Sequence, residues 1–158
     1  MIDRLIDFLT GREAPASAAV HDELELAVAA LLVEAARMDT DFDSTERSVI
    51  ERLLAGYFDL GPEAVSRLTA AAEQAVEDSH QLFPFTREIC KRLSPEVRIE
   101  IIEMLWQVAY ADGVLDPHED MLLRRIAGLI HVPDRERGIA RQRALEKLAA
   151  DKKPDGAP

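Results

Sequence analysis

The sequence predicts an all-α protein of seven to eight helices, in which two related helix–elbow–helix units pack around one core. Of its 158 residues, 47% are apolar but only 5% are aromatic. The chain is rich in alanine, leucine, glutamate and arginine, which favour helices over strands. Apolar residues recur three and four positions apart along most of the chain, and a short acidic turn between two such stretches occurs twice. The length suits a single domain with a substantial core.

The N-terminal segment, residues 1–21, is predicted to form a short helix and a linker. Residues 2–9 have apolar and charged side chains at helical spacing, and Gly11 ends the pattern. The apolar face carries Ile2, Leu5, Ile6 and Leu9. The other face has both acidic and basic side chains and attracts anionic lipid only weakly, so we expect the helix to pack on the domain or on a second copy. Peripheral association with a membrane is the alternative.

The helical domain is predicted from residue 22 to residue 150. Its first helix begins after Asp22, and its apolar positions continue to Ala35. The first elbow, residues 39–43, separates this helix from one that starts at Ser44 and ends near residues 57–60. Gly61-Pro62 then starts a further helix. The first unit therefore has three helices.

A connecting segment leads to the second unit. Residues 80–84 break the helical pattern, and a short helix is predicted from Thr86 to Leu93. Ser94 and Pro95 then start a helix with an almost fully apolar stripe, which predicts the most buried helix of the fold.

The second elbow, residues 112–116, has the stronger sequence signals. Gly113 can adopt the left-handed backbone that closes a helix. Asp116 can accept the free N–H groups of the next helix, Pro117 suits its first position, and Glu119 completes a capping box. This helix is predicted to run from Pro117 to about Ile130.

The last helix is predicted after Asp134. It carries the apolar residues Ile139, Ala140, Leu145 and Leu148. Residues 151–158 are expected to form a disordered tail.

The two elbows belong to an internal repeat, in which matched residues have a constant difference in residue number. The matched pairs are Leu32 and Leu105, Ala36 and Ala109, Asp39 and Asp112, Phe42 and Leu115, Asp43 and Asp116, Glu46 and Glu119, and Arg52 and Arg125. Apolar positions of two amphipathic helices match readily by chance, whereas three acids at the same spacing do not. We therefore expect residues 24–59 to superpose on residues 97–132 and to share one core, because neither hairpin can bury its apolar face alone.

The second elbow also resembles a known family. The run Ala109–Glu119 and the following Leu122–Ala127 are similar to the TerB-like bacterial proteins, named for the tellurite-resistance protein B, and most closely to their stand-alone members. Phe85–Arg87 and Ser94–Glu96 resemble that family too, and the likeness covers about residues 22–148. It implies an all-helical fold and an acidic site suited to metal, in a family whose biochemical role is poorly defined.

The net charge of −11 excludes nucleic acid as an expected partner, because 30 acidic against 19 basic residues would repel a phosphate backbone.

The single cysteine, Cys90, rules out a disulfide framework, predicts a buried thiol and indicates a reducing compartment. No apolar run is long enough to cross a bilayer. We expect a cytoplasmic protein with a protein partner, and the oligomeric state is left open.

The acidic elbows are the candidate site. The predicted metal ligands are Asp39, Asp43, Glu46, Asp112, Asp116 and Glu119. If the elbows meet across a pseudo-twofold axis, these carboxylates, together with Asp41, could enclose Ca²⁺ or Mg²⁺, and His118 would shift the preference toward a transition metal. An ordinary EF-hand is excluded, because Val108 and Tyr110 occupy the places of its first two oxygen ligands.

Helix capping is the competing explanation for four of these six residues. Asp43 with Glu46, and Asp116 with Glu119, have the spacing of capping boxes, and we prefer that explanation for them. Asp39 and Asp112 do not fit capping geometry, so the prediction of a metal site depends mainly on them.

Two functions from different classes follow. The sequence has no pattern of a nucleophile elbow or of a phosphate-binding loop, so we prefer a non-enzymatic binding or scaffold module in a stress-related or membrane-associated assembly. A metal-dependent hydrolase that uses the acidic cluster is the alternative. Trp106 and Tyr110 are expected in the core rather than in a ligand groove. Surface positions are expected for His21, His80 and His131.

Overall fold

A computed structural model describes residues 23–37, 44–79, 81–111 and 117–152. These ranges contain seven α-helices and no strand, which confirms the all-α class. The helices are α1 (Glu23–Arg37), α2 (Ser44–Phe58), α3 (Pro62–Asp78), α4 (Phe83–Arg92), α5 (Pro95–Ala109), α6 (Pro117–Leu129) and α7 (Asp134–Lys152). The predicted helix at residues 2–9, both elbows and residues 153–158 lie outside the described residues.

Prolines start three helices where the sequence predicts. α3, α5 and α6 begin at Pro62, Pro95 and Pro117. Proline suits a first helical turn, because its missing N–H would have no partner there. At α5 the hydroxyl of Ser94 also accepts a hydrogen bond from the Val97 N–H at 3.4 Å, which is the predicted N-cap.

α4 begins earlier than the sequence predicts. The helix runs from Phe83 to Arg92, so the break expected at residues 80–84 ends before Phe83 and the expected start at Thr86 is wrong. Pro84 lies in its first turn, and the Leu82 carbonyl accepts the Thr86 N–H at 3.0 Å. The proline therefore helps to start this helix instead of interrupting the chain before it.

α1 and α5 form the centre of the core. Each buries nine residues, and the two helices pack against each other. The sequence predicts α5 as the most buried helix, and α1 equals it. Five of the nine buried residues of α1 are alanines, whose small side chains let the neighbouring helices approach closely.

The packing of the two units is reciprocal. In each unit the first helix packs most extensively on the third, so that α1 lies on α3 and α5 lies on α7. Between the units α1 contacts α5, α2 contacts α5, and α6 contacts α1. Exchanging the units leaves these contacts unchanged, as a pseudo-twofold axis requires, and α4 connects the units by packing on α1 and α6. This arrangement supports the predicted repeat, and the superposition itself stays a prediction.

Both second helices end in the same cap, at residues that are not glycine. Asp59 follows α2 with φ 54°, and His131 follows α6 with φ 59°. Both values lie in the left-handed region. In each case the N–H of the next residue donates to the carbonyl five positions back, at 3.0 Å after α2 and at 2.8 Å after α6. This bond is the one that defines a Schellman cap.

The two caps show that the repeat extends to the third helices. The interval from Asp59 to His131 equals the interval from Pro62 to Asp134, where α3 and α7 begin. Residues 55–60 and 127–132 share the pattern alanine, glycine, two apolar residues, one polar residue and one apolar residue. This pattern is the sequence signal for the caps. The interval between the caps is one residue shorter than the interval between the elbows, so the spacing of the elbows does not match the two caps with each other.

α7 buries a narrower face than its sequence suggests. Ala140 and Ala144 lie one turn apart on α7 and are fully buried. Their small side chains let α7 lie close to α5. Leu145 lies about 100° further round the helix and is 39% exposed, so it lies outside the buried face. Ile139 and Leu148 are half-buried at the edge of this face. The helix continues to Lys152, two residues past the predicted domain boundary.

Candidate functional site

The structure describes two of the six predicted metal ligands, Glu46 and Glu119. Glu46 is half-buried in the first turn of α2, and Glu119 is only 4% exposed in the first turn of α6. A carboxylate in a first turn interacts favourably with the free N–H groups and the dipole of its helix. Both glutamates have interaction partners. Their positions are those that the preferred explanation, a capping box in each unit, requires.

The other predicted ligands, Asp39, Asp43, Asp112 and Asp116, lie outside the described residues, as does Asp41. Within the described part of the chain no three His, Cys, Asp or Glu side chains are grouped closely enough to hold a metal ion. The convergence of the elbows therefore stays a prediction.

A cleft of about 760 Å³ lies beside the helix ends to which the elbows are attached. Its walls are the end of α1, the end of α3, the start of α4 and the start of α6. Arg37 is the last described residue before the first elbow, and His118 lies in the first turn after the second elbow. Both line this cavity, which we call the first cleft. No argument from sequence spacing predicts it, because it is built from four separate helices.

The first cleft has an extensive apolar wall. Its apolar lining residues are Val76, Leu82, Phe85, Met121 and Leu122. Met121 is 67% exposed, and Phe83, which follows Leu82 on α4, is 58% exposed. These are the two most exposed large apolar side chains in the described ranges. An exposed apolar cluster around a concave surface is typical of a binding site.

The edge of the first cleft carries charges of both signs. They belong to Glu34, Arg37, Glu77 and Arg125. Within the described ranges none of these four side chains forms an ion pair. Guanidinium groups bind carboxylates through two parallel hydrogen bonds, so the two arginines suit a ligand that carries acidic groups.

A second cleft of about 290 Å³ lies at the related place in the repeat, between α2 and α5. Arg52 and Gln107 line it, and the repeat matches these two residues with Arg125 and Glu34 of the first cleft. The two clefts therefore occupy matching positions, although they differ in size and in charge.

Tyr57 lines the second cleft and titrates abnormally. Burial, assisted by the nearby carboxylate of Glu100, raises the pKa of its phenol to about 12. The phenol therefore stays neutral to a higher pH than an ordinary tyrosine does. Its hydroxyl can act there as an uncharged hydrogen-bond donor.

The second cleft also contains an ion pair between a buried carboxylate and an exposed lysine. Lys147 Nζ lies 2.9 Å from Glu103 Oε1, in an electrostatic contact that lacks the direction of a hydrogen bond. The Glu103 side chain is 9% exposed and the Lys147 side chain is 59% exposed. Ala30 occupies the place of Glu103 in the first unit, where it is fully buried. The helix packing of this fold therefore does not require a carboxylate at that position.

The predicted aromatic pair lies apart from the residues that line both clefts. Trp106 is 2% exposed, which confirms its core position, and it stacks on the half-buried Tyr110 with ring centroids 5.8 Å apart. The Arg141 guanidinium lies 5.6 Å and 5.7 Å from the two ring centroids, and its Nε donates to the Tyr110 hydroxyl at 2.9 Å. These contacts join α7 to the end of α5, just before the second elbow.

The cysteine and the histidines have structural or surface positions. Cys90 is half-buried, and its thiol donates to the Leu129 carbonyl at 3.4 Å, which joins α4 to the end of α6. His131 is exposed, as predicted. His21 and His80 lie outside the described residues.

Comparison with known families identifies the fold. The family model described as Tellurite resistance protein TerB matches residues 25–142. The chain belongs to the TerB family. The match runs from α1 into α7 and includes every lining residue of the first cleft, so this cleft is part of the TerB domain. No curated protein and no solved structure gives a significant match. Among the described helices of this TerB-family protein, none is long and apolar enough to cross a membrane.

Proposed function

We propose that this TerB-family protein is a non-enzymatic binding module whose first cleft holds an amphipathic segment of a partner protein. The observation that supports this most directly is an apolar wall beside two arginines, Arg37 and Arg125, that form no ion pair with any described residue. Covering a methionine-sized side chain fully contributes about 1.5–3 kcal/mol. Because Met121 is 67% exposed, a partner that covers its side chain would gain most of this free energy.

The charges of the first cleft define the chemistry of the partner. A helical segment can present apolar anchors three and four residues apart to the apolar wall. Acidic side chains beside those anchors would pair with Arg37 and Arg125. Glu34 and Glu77 would repel a uniformly acidic segment, so the partner segment should combine a few carboxylates with its apolar face.

We also propose that the module acts in the cytoplasm, in a stress-related assembly. The family description supports the link to stress.

Divalent-cation binding by the acidic elbows is the second proposal. The support for it is the sequence of the elbows, because Asp39 and Asp112 do not fit helix capping. These two aspartates, together with Asp43, Glu46, Asp116 and Glu119, would supply carboxylate oxygens, which Ca²⁺ and Mg²⁺ prefer. A metal-dependent hydrolase would require that cation beside a substrate in the first cleft. Binding without catalysis needs fewer conditions and is the function we prefer.

Peptide binding to the intact chain tests the leading proposal. The probe is a short synthetic helical peptide with leucines at helical spacing and two flanking glutamates, and its twin has glutamines in place of the glutamates. Fluorescence anisotropy should show at least about tenfold tighter binding of the acidic peptide, equivalent to about 1.4 kcal/mol.

Two matched variants locate the binding site. Arg125→Glu should reverse the preference between the two peptides. Arg52→Glu, the equivalent change in the second cleft, should leave the preference unaltered. Equal affinity of the wild type for both peptides, or the same response from both variants, would contradict the proposal.

A further inference from the structure

One amphipathic segment of the sequence lies outside the described helices. Residues 2–9 carry the apolar face predicted above, with Asp3, Arg4 and Asp7 opposite to it. An isolated helix this short is marginal in water, so it needs a surface that covers its apolar side. Each leucine or isoleucine that becomes fully buried contributes about 1.5–3 kcal/mol.

The first cleft has the complementary chemistry. Its apolar wall includes the exposed Met121, and its edge carries Arg37 and Arg125 without ion-pair partners among the described residues. Asp3 and Asp7 are four residues apart and share the side of the helix opposite to its apolar face, so they would meet these arginines at the edge of the cleft rather than inside it. Glu34 and Glu77 offer the opposite charge to Arg4. The segment therefore matches the cleft in apolar surface and in both signs of charge.

The chain is long enough for this segment to reach the cleft of its own molecule. α1 begins at Glu23, and Glu34 in the cleft is eleven residues further on, which is about 17 Å along the helix. Residues 10–22 can span up to about 43 Å when extended. A tethered segment acts at an effective concentration in the millimolar range, so even a weak contact would be substantially populated.

We propose that residues 2–9 bind in the first cleft of the same chain and compete there with the partner segment. The competition rests on the proposed function, whereas the intramolecular contact depends only on the chemistry of the cleft. A bound tether raises the apparent dissociation constant of a partner, because only the clefts that it leaves open can bind. The second cleft is a poorer acceptor, because it is smaller and contains the Glu103–Lys147 pair.

Methionine-methyl NMR on the full chain tests the contact. Met121 lines the first cleft and Met104 lines the second, so each methyl signal reports on one of the two clefts. A nitroxide at Thr10→Cys, in a Cys90→Ser background that leaves one thiol, should broaden the Met121 signal and spare Met104. Adding Leu5→Asp and Leu9→Asp should abolish the broadening. Without any label, the same two aspartates should shift the Met121 methyl signal in an otherwise wild-type chain.

Mixed samples distinguish one molecule from two. In an equal mixture of nitroxide-labelled chains and methyl-labelled chains, the intramolecular contact predicts no broadening. Broadening in the mixture would assign the segment to a second copy and overturn the proposal. Broadening of both methyl signals, or of neither in the single-chain sample, would overturn it as well.

The competition has its own readout. The Leu5→Asp and Leu9→Asp changes should tighten binding of the acidic peptide several-fold in the anisotropy assay. If the Met121 effect is present and the peptide does not bind, the partner proposal fails while the intramolecular contact stands. If the peptide binds with unchanged affinity after the two substitutions, the competition is refuted.

Discussion

Glycine at position 131 should stabilise the domain, because His131 holds a left-handed backbone with φ 59°. In this region the Cβ of an L-residue crowds the following carbonyl oxygen, at a cost of about 1–2 kcal/mol. Glycine has no Cβ but loses about 0.5–1 kcal/mol more conformational entropy on folding. The expected net gain for His131→Gly is therefore about 0.5–1 kcal/mol, or about 1–4 °C in Tm for a domain of this size.

The control is His131→Ala, which removes the exposed imidazole but keeps the Cβ and so should give no gain. Asp59→Gly and Asp59→Ala repeat the comparison at the cap of the first unit, where φ is 54°. The gain there should be smaller, because aspartate tolerates the left-handed region better than histidine does. Urea unfolding followed by circular dichroism measures the free energy of unfolding at constant m value. Alanine variants as stable as the glycine variants at both caps would refute the reasoning.

Three further predictions concern the second cleft and the elbows. Lys147→Ala should lower the free energy of unfolding by about 1–2 kcal/mol, because it leaves the buried Glu103 carboxylate without a compensating charge. Adding Glu103→Ala should recover most of that loss, and simple additivity of the two substitutions in the double-mutant cycle would contradict this. Because the pKa of Tyr57 is higher in the folded chain than in the unfolded chain, stability should fall as pH rises from about 10 to about 12. Tyr57→Phe should reduce that fall, and a pH profile of stability that the substitution leaves unchanged would contradict the prediction. Absorbance titration of the phenolate measures the pKa directly. Asp39→Asn and Asp112→Asn should each change the unfolding free energy of the metal-free protein by at most about 1 kcal/mol. Each substitution should also abolish any rise of Tm with Ca²⁺ or Mg²⁺. If the Tm of the wild type does not depend on either ion, the metal proposal is wrong.

Helix starts could be predicted from the sequence because they depend on local chemistry. Pro62, Pro95 and Pro117 each remove an N–H that a first helical turn cannot use, and Ser94 caps a helix within three residues of itself. Pro84 misled the prediction, because the same chemistry can either start a helix or stop one. In α4 the packing of the helix on α1 and α6 favours the first outcome.

The first cleft could not be predicted, because its residues are distant in the sequence. Arg37 and Arg125 come from different units and share the cleft only because α1 and α6 pack together. The caps at Asp59 and His131 were missed for a different reason. A helix end is ordinarily recognised by its glycine, and here residues with a Cβ adopt the left-handed conformation instead. The acidic elbows were recognised from spacing alone, which does not establish whether carboxylates from distant segments meet.

The Glu103–Lys147 pair has a consequence for stoichiometry. A duplicated fold would ordinarily offer two equivalent docking places and could bridge two identical partners. Here one place is larger and combines an apolar wall with charges of both signs, while the other is small and holds an internal ion pair where the first unit has an alanine. If the first cleft binds the partner as proposed, the domain should be monovalent, with one ligand per chain. An assembly that needs to cross-link several partners would have to obtain its valence by bringing several copies of this protein together.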